Sequence, residues 1–268
     1  MHFHIEARSG DTLEIAIYDQ IGSSLLSDGI TAKDVLATLR SAPRAKTINL
    51  RINSIGGMLD DAKAIVSLLD ERRRAGATVI AYIDGLAASS AAYLTTVADR
   101  VIMPSNAFLM IHEATGGRRG TATDLESTAS IMRRYTQQMA EAFSAASARR
   151  GVSKSTAEYL ATLAKGDTYL DASEAIAWGL ADEVAAALDI AACVVDVSEL
   201  SDAPERLRAA CYARPAQRDL GDRVLSVMLA RRSGAFEQHE PDAAGLPGSL
   251  MDQVLDRLQQ LRAARGLA

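Results

Sequence analysis

The sequence predicts an α/β protein in which a mostly parallel sheet is flanked by helices. Two observations carry this. Short apolar runs of strand character alternate with amphipathic helical stretches, and glycine-rich or small-residue turns fall where a strand hands over to a helix, at NSIGG (53–57) and again around DGLAASS (84–90). Alternation of this kind buries a parallel sheet between helices and gathers functional groups at the carboxyl ends of the strands.

The elements follow in order. Residues 12–19, TLEIAIYD, alternate apolar and polar side chains as a half-buried strand does. A helix is expected at about 31–41, then a strand at 47–52 that runs into the NSIGG turn. Ala62, Ile65, Leu68 and Leu69 recur at helical spacing, giving an amphipathic helix that ends near Gly76. A strand at 77–83 leads into DGLAASSAAYL, whose small residues suit a helix packed closely against a neighbour. Strands at 100–103 and 107–112 are separated by the turn PSN. A long helical pattern then covers 121–150, with Leu125, Ala129, Met132, Tyr135, Met139 and Phe143 on its apolar positions. A helix at 153–164 precedes GDTYLDASEAIAWGLAD, where Asp171 or Ser173 can cap a brief helix that Gly179 ends.

Two domains are expected: residues 1–196, and a helical extension over 197–268 with a linker near 233–248. The final helix, from residue 249, has one apolar and one charged face, fit either to dock on its own chain or to pair with a partner helix.

Composition narrows the function classes. The net charge is -5 and aromatic residues make up 4%, so neither a basic face nor stacking platforms for nucleic acid are expected. No uncharged run reaches the roughly 20 residues that span a bilayer, and the amino terminus lacks the apolar core of a signal peptide. Cys193 and Cys211 stand apart without metal-ligand spacing, which suits a reducing cytoplasm. His2 and His4 fit an edge strand better than a metal pair, because no third ligand lies nearby. No metal, cofactor or phosphate-binding loop is expected.

The pattern that bears on chemistry is spread along the chain. Backbone amides at the Gly56-Gly57 turn are suited to bind an oxyanion, and a serine opening the next small-residue segment would lie near them. A nucleophilic serine needs a base, and His112 is the natural choice among four histidines. Taken alone, its place after FLMI fits a buried structural histidine at least as well. Asp167 is one of many acidic residues able to orient an imidazole, and spacing alone does not select it.

Together, NSIGG, GLAASSAAYL, MIHEATGGRRGTATDLE and DTYLDASEAIAWGLAD resemble the four signature segments of the ClpP-type serine peptidases, in the same order, over residues 12–186. The short amino terminus and carboxy-terminal extension most resemble the ClpP-related head-maturation proteases of tailed phages and prophages. The resemblance implies a ClpP/crotonase-like fold of repeated ββα units, with residues 121–150 as the handle helix. It implies Ser89 as nucleophile, His112 as general base, Asp167 as orienting acid, and the N–H groups of Gly57 and Ser90 as the oxyanion hole. It further implies a ring-forming homo-oligomer, with Gly116-Gly117 to Gly120 at the ring contact, acting in the cytoplasm on protein substrates such as phage capsid or scaffold protein.

Departures from the family pattern are Ser90 where a non-hydroxyl residue is usual, Glu113-Ala114 where Gln-Pro is usual, and Thr168 where Arg is common. They touch the substrate groove and leave the triad intact. The segment that forms axial loops for an ATP-driven unfoldase has no counterpart in the short amino terminus, which argues against dependence on that partner. The alternatives are a bacterial unfoldase-dependent Clp subunit, an inactive capsid-assembly scaffold on the same fold, and crotonase-type thioester chemistry.

Overall fold

A computed structural model describes residues 7–8, 11–23, 29–187 and 204. His2, His4, Cys193, Cys211 and the expected carboxy-terminal helices lie outside the described residues.

The first strand, β1 (Ala7–Arg8), pairs antiparallel with β2 (Thr12–Ile17). The chain then alternates: α1 (Ala32–Ser41), β3 (Thr47–Ser54), α2 (Leu59–Arg74) and β4 (Thr78–Ala88). After these come α3 (Ser90–Leu94), β5 (Arg100–Pro104) and β6 (Phe108–Ile111). The remainder is α4 (Ala122–Arg149), α5 (Thr156–Leu163), β7 (Thr168–Asp171), α6 (Ala172–Ala177) and β8 (Glu183–Ala185). The main path of the sheet runs β1-β2-β3-β4-β5-β8, parallel along it except for β1, with β6 joined to β4 and β7 to β6.

Period-two alternation sends Leu13, Ile15 and Ile17 of β2, Ile48, Leu50 and Ile52 of β3, and Val79, Ala81 and Ile83 of β4 to one buried face. Against them pack Val35 and Leu39 of α1, and Ala62, Ile65 and Leu69 of α2. Each fully buried branched aliphatic side chain contributes about 1.5–3 kcal/mol, so this layer anchors the strand ends that carry the site.

Helix starts are set by short polar signals. Thr31 with Asp34, Thr121 with Asp124, Ser155 with Glu158, and Asp171 with Glu174 each form a reciprocal capping box. Each pair satisfies two backbone N–H groups that a helix start leaves without partners. Asp171, of the two expected candidates, is the cap of α6, and Gly179 stops the turn after it at φ 68.

Three differences from the sequence reading matter. First, residues 84–88 are strand, not helix: β4 pairs with β5 at Ile80–Tyr82 and then, further along, with β6 at Leu86–Ala88. Local small-residue content suggested close helix packing, but the β6 ladder claims the backbone groups, and α3 is only five residues long. Second, β7 forms antiparallel to β6 in a stretch for which no strand is expected, because its weak apolar pattern carries no strand signal. Gly116–Gly120 is loop, and the third difference lies in the helix that follows it. The long helix is buried only along its second half, at positions such as Met139, Ala140 and Phe143, while Leu125 and Ile131 stay exposed.

Candidate active site

The forked strand β4 ends at Ala88, and Ser89 follows in a conformation that side chains rarely adopt. Its φ of 55 and ψ of -122 are the mirror image of ordinary extended backbone, and it is the one non-glycine residue with positive φ among those described. Such strain persists only where surroundings impose it. Here the Ser89 N–H donates to the Met110 carbonyl of β6 at 2.9 Å, while the Tyr93 N–H closes the first turn of α3 onto the Ser89 carbonyl.

The same strand positions the next residue. His112 follows the end of β6, and its Nε2 lies 2.7 Å from Ser89 Oγ. Strand β7 pairs with β6 in a register that sets Ile111 opposite Thr168, so the residues just beyond that pair, His112 and Asp167, meet. His112 Nδ1 is 3.0 Å from Asp167 Oδ1, and both side chains are largely buried. With Nδ1–H donating to the carboxylate, the Nε2 lone pair is left to accept the Ser89 hydroxyl proton.

The NSIGG turn packs against this elbow from the other side. Gly56 has φ 92, and a Cβ there would lie 2.6 Å from the Ala88 carbonyl oxygen and 2.9 Å from both Ser89 Cβ and Ser90 N. Only a bare backbone fits. Ile21 holds the turn by donating to the Gly56 carbonyl and accepting from the Met58 N–H. The intervening Gly57 N–H makes no backbone bond among the described residues, and Ser90, first residue of α3, has no intrahelical acceptor for its own N–H. Gly57, Ser89 and Ser90 all line one cleft of about 340 Å³.

Several positioning residues escaped the sequence reading. Ser54 Oγ donates to the Asp19 carbonyl and accepts from the Gly56 N–H, and buried Asn53 accepts from the Leu86 N–H. Thr136 Oγ1 accepts from the Ala114 N–H at 3.1 Å, pinning the chain after His112 to α4. Buried polar residues inside otherwise apolar stretches were the available signal, but their partners are distant in sequence. Among the described residues Ser90 Oγ is buried without a hydrogen-bond partner. Among the described residues no three histidine, cysteine, aspartate or glutamate side chains are grouped to hold a metal, and no helix is long and apolar enough to cross a membrane.

A serine, histidine and aspartate joined in this order beside uncommitted amides have the form used by serine hydrolases. The comparisons narrow the class further. A family model described as Clp protease matches residues 3–187, and the chain belongs to that family. It is 32% identical over 152 residues to the ATP-dependent Clp protease proteolytic subunit 1 of Rhodopirellula baltica, covering 56% of this chain and 63% of that protein. It is 33% identical over 168 residues to the ATP-dependent Clp protease proteolytic subunit 2 of Streptomyces avermitilis, covering 59% of this chain and 78% of that one. The chain thus spans less than two thirds of the first of these relatives.

Proposed function

We propose that this chain is a serine endopeptidase with Ser89 as nucleophile, His112 as general base and Asp167 as orienting acid. The observation that carries the reading is the unbroken pair of contacts, 2.7 Å from Ser89 Oγ to His112 Nε2 and 3.0 Å from Nδ1 to Asp167. In the proposed sequence, Ser89 Oγ attacks a substrate carbonyl while His112 takes its proton. The oxyanion is received by the N–H groups of Gly57 and Ser90, and His112 returns the proton to the leaving amine. A water, deprotonated by His112, then hydrolyses the acyl-enzyme. One oxyanion donor in such a site is worth about 2.7–4 kcal/mol of barrier.

A fluorophosphonate probe tests this reading. It should label Ser89, and Ser89→Ala should abolish labelling and peptide cleavage while Ser90→Ala keeps both. The opposite pattern would move the nucleophile to Ser90 and overturn the assignment.

Two settings fit such an enzyme. Residues 188–268 lie beyond the family-matched segment and, in the phage reading, would direct it to capsid or scaffold protein within a ring-shaped homo-oligomer. The second, a bacterial subunit fed by an unfoldase, fits the relatives named as ATP-dependent proteolytic subunits about as well. Cleavage of a co-expressed capsid or scaffold protein without ATP supports the first. ATP-dependent degradation of a folded substrate with a Clp unfoldase supports the second.

A further inference from the structure

The cleft beside Ser89 has a chemical character of its own. Its apolar walls are Met58, Leu59, Met132 and Met139, its polar members include Gln20, Thr115, Tyr135 and Asp60, and among the described residues Asp60 is the only charged side chain that lines it. Flexible thioether chains adapt to what they meet, and they give an aliphatic stem apolar surface to lie along. Tyr135, on α4, reaches across to α2 and donates its hydroxyl to Asp60 Oδ1 at 2.7 Å. That bond, more than burial, raises the Tyr135 pKa, keeping the phenol a donor. It also orients the carboxylate, which stays exposed to solvent at the edge of the cleft.

The obvious internal cation is committed elsewhere. Lys63, one turn along α2, lies over the Tyr135 ring at 5.0 Å and donates to Gln138 Oε1 at 2.7 Å. Asp60 therefore has no ion-pair partner among the described residues, while its neighbour Asp61 is engaged by the Ala32 N–H. Asp60 also stabilises the start of α2 by its place in the first turn, but that role alone does not need a tyrosine from another helix.

We infer that this cleft selects a substrate residue with a long apolar stem and a cationic end, lysine or arginine, and that Asp60, held by Tyr135, receives the charge. The inference rests on the peptidase reading of Ser89. Asp60 acts on substrate choice and takes no part in the proton transfers.

Two phosphonate-ester peptide probes test it on the full chain. They differ only at the residue entering the cleft: lysine in one and norleucine, which keeps the stem and lacks the ammonium, in the other. Lysine should label Ser89 about fivefold faster, the factor that a partly exposed ion pair supplies, and the advantage should shrink as salt is added. In Asp60→Asn the ratio should fall to about one with the norleucine rate kept, which shows an intact fold. A purely structural role for Asp60 would change both rates together. Norleucine labelling as fast as lysine in the unaltered protein, or a lysine preference that survives Asp60→Asn, overturns the inference and leaves the peptidase reading standing. Failure of both probes and of the generic fluorophosphonate to label Ser89 overturns both.

Discussion

Replacing Ser89 with glycine should give a more stable protein than replacing it with alanine, although both remove the same hydroxyl. Both variants lose the 2.7 Å contact to His112, so its contribution cancels in the comparison. What differs is the backbone at φ 55 and ψ -122. For a residue with a Cβ, such a conformation costs about 1–3 kcal/mol. Glycine adopts the mirror-image region freely, at the expense of about 0.5–1 kcal/mol from its more flexible unfolded state. The balance favours glycine by about 1 kcal/mol, equivalent to roughly 2–4 °C in Tm for a domain of this size. The assay is urea unfolding of the two variants at one protein concentration, so that any self-association affects both alike. An alanine variant more stable than the glycine one by about 0.5–1 kcal/mol, the cost of glycine's flexibility alone, would mean that Ser89 is not strained, and the account of the elbow would fail.

Four further outcomes follow from the geometry. Asp167→Asn should leave the fold intact yet slow Ser89 acylation by about 10⁴-fold, because an amide holds His112 in the wrong tautomer; stopped-time probe labelling measures it. Gly56→Ala should remove activity as well as stability, since its Cβ would strike backbone at 2.6 Å, whereas Gly76→Ala, with open space around it at φ 97, should cost only about 1 kcal/mol and spare activity. Ser90→Ala should be neutral or stabilising by about 1 kcal/mol in urea unfolding, since its buried hydroxyl has no partner to lose among the described residues. Burial and the Asp84 hydrogen bond push the Tyr18 phenol up to about 12, above its unfolded value near 10, so the stability it lends is complete below pH 10 and lost between pH 10 and 12. The urea midpoint of Tyr18→Phe should therefore fall less steeply across that window than that of the unaltered protein.

The residues that became the candidate site were legible to different degrees. Gly56 and Gly57 stood out because paired glycines between a strand and a helix mark a backbone that must approach something closely. Ser89 and Ser90 were equivalent by composition, and only the resemblance separated them. In the structure their difference is one of backbone: Ser89 takes the left-handed turn with its hydroxyl on His112, while Ser90 buries its hydroxyl and opens α3. Asp60 and Tyr135 drew no attention as a pair, being 75 residues apart and unremarkable on their own helices.

The sequence by itself determined the strand-helix alternation, the inward faces of β2, β3 and β4, and the helix starts, because periodicity and capping are local and a few neighbouring residues decide them. The path of residues 84–88 and the existence of β7 were decided only in three dimensions. A backbone N–H takes the acceptor that the assembled sheet offers, and here the acceptors lie on β6, about 20 and 60 residues away along the chain. The meeting of Ser89, His112 and Asp167 depends on those same two ladders, so no local pattern could reveal it.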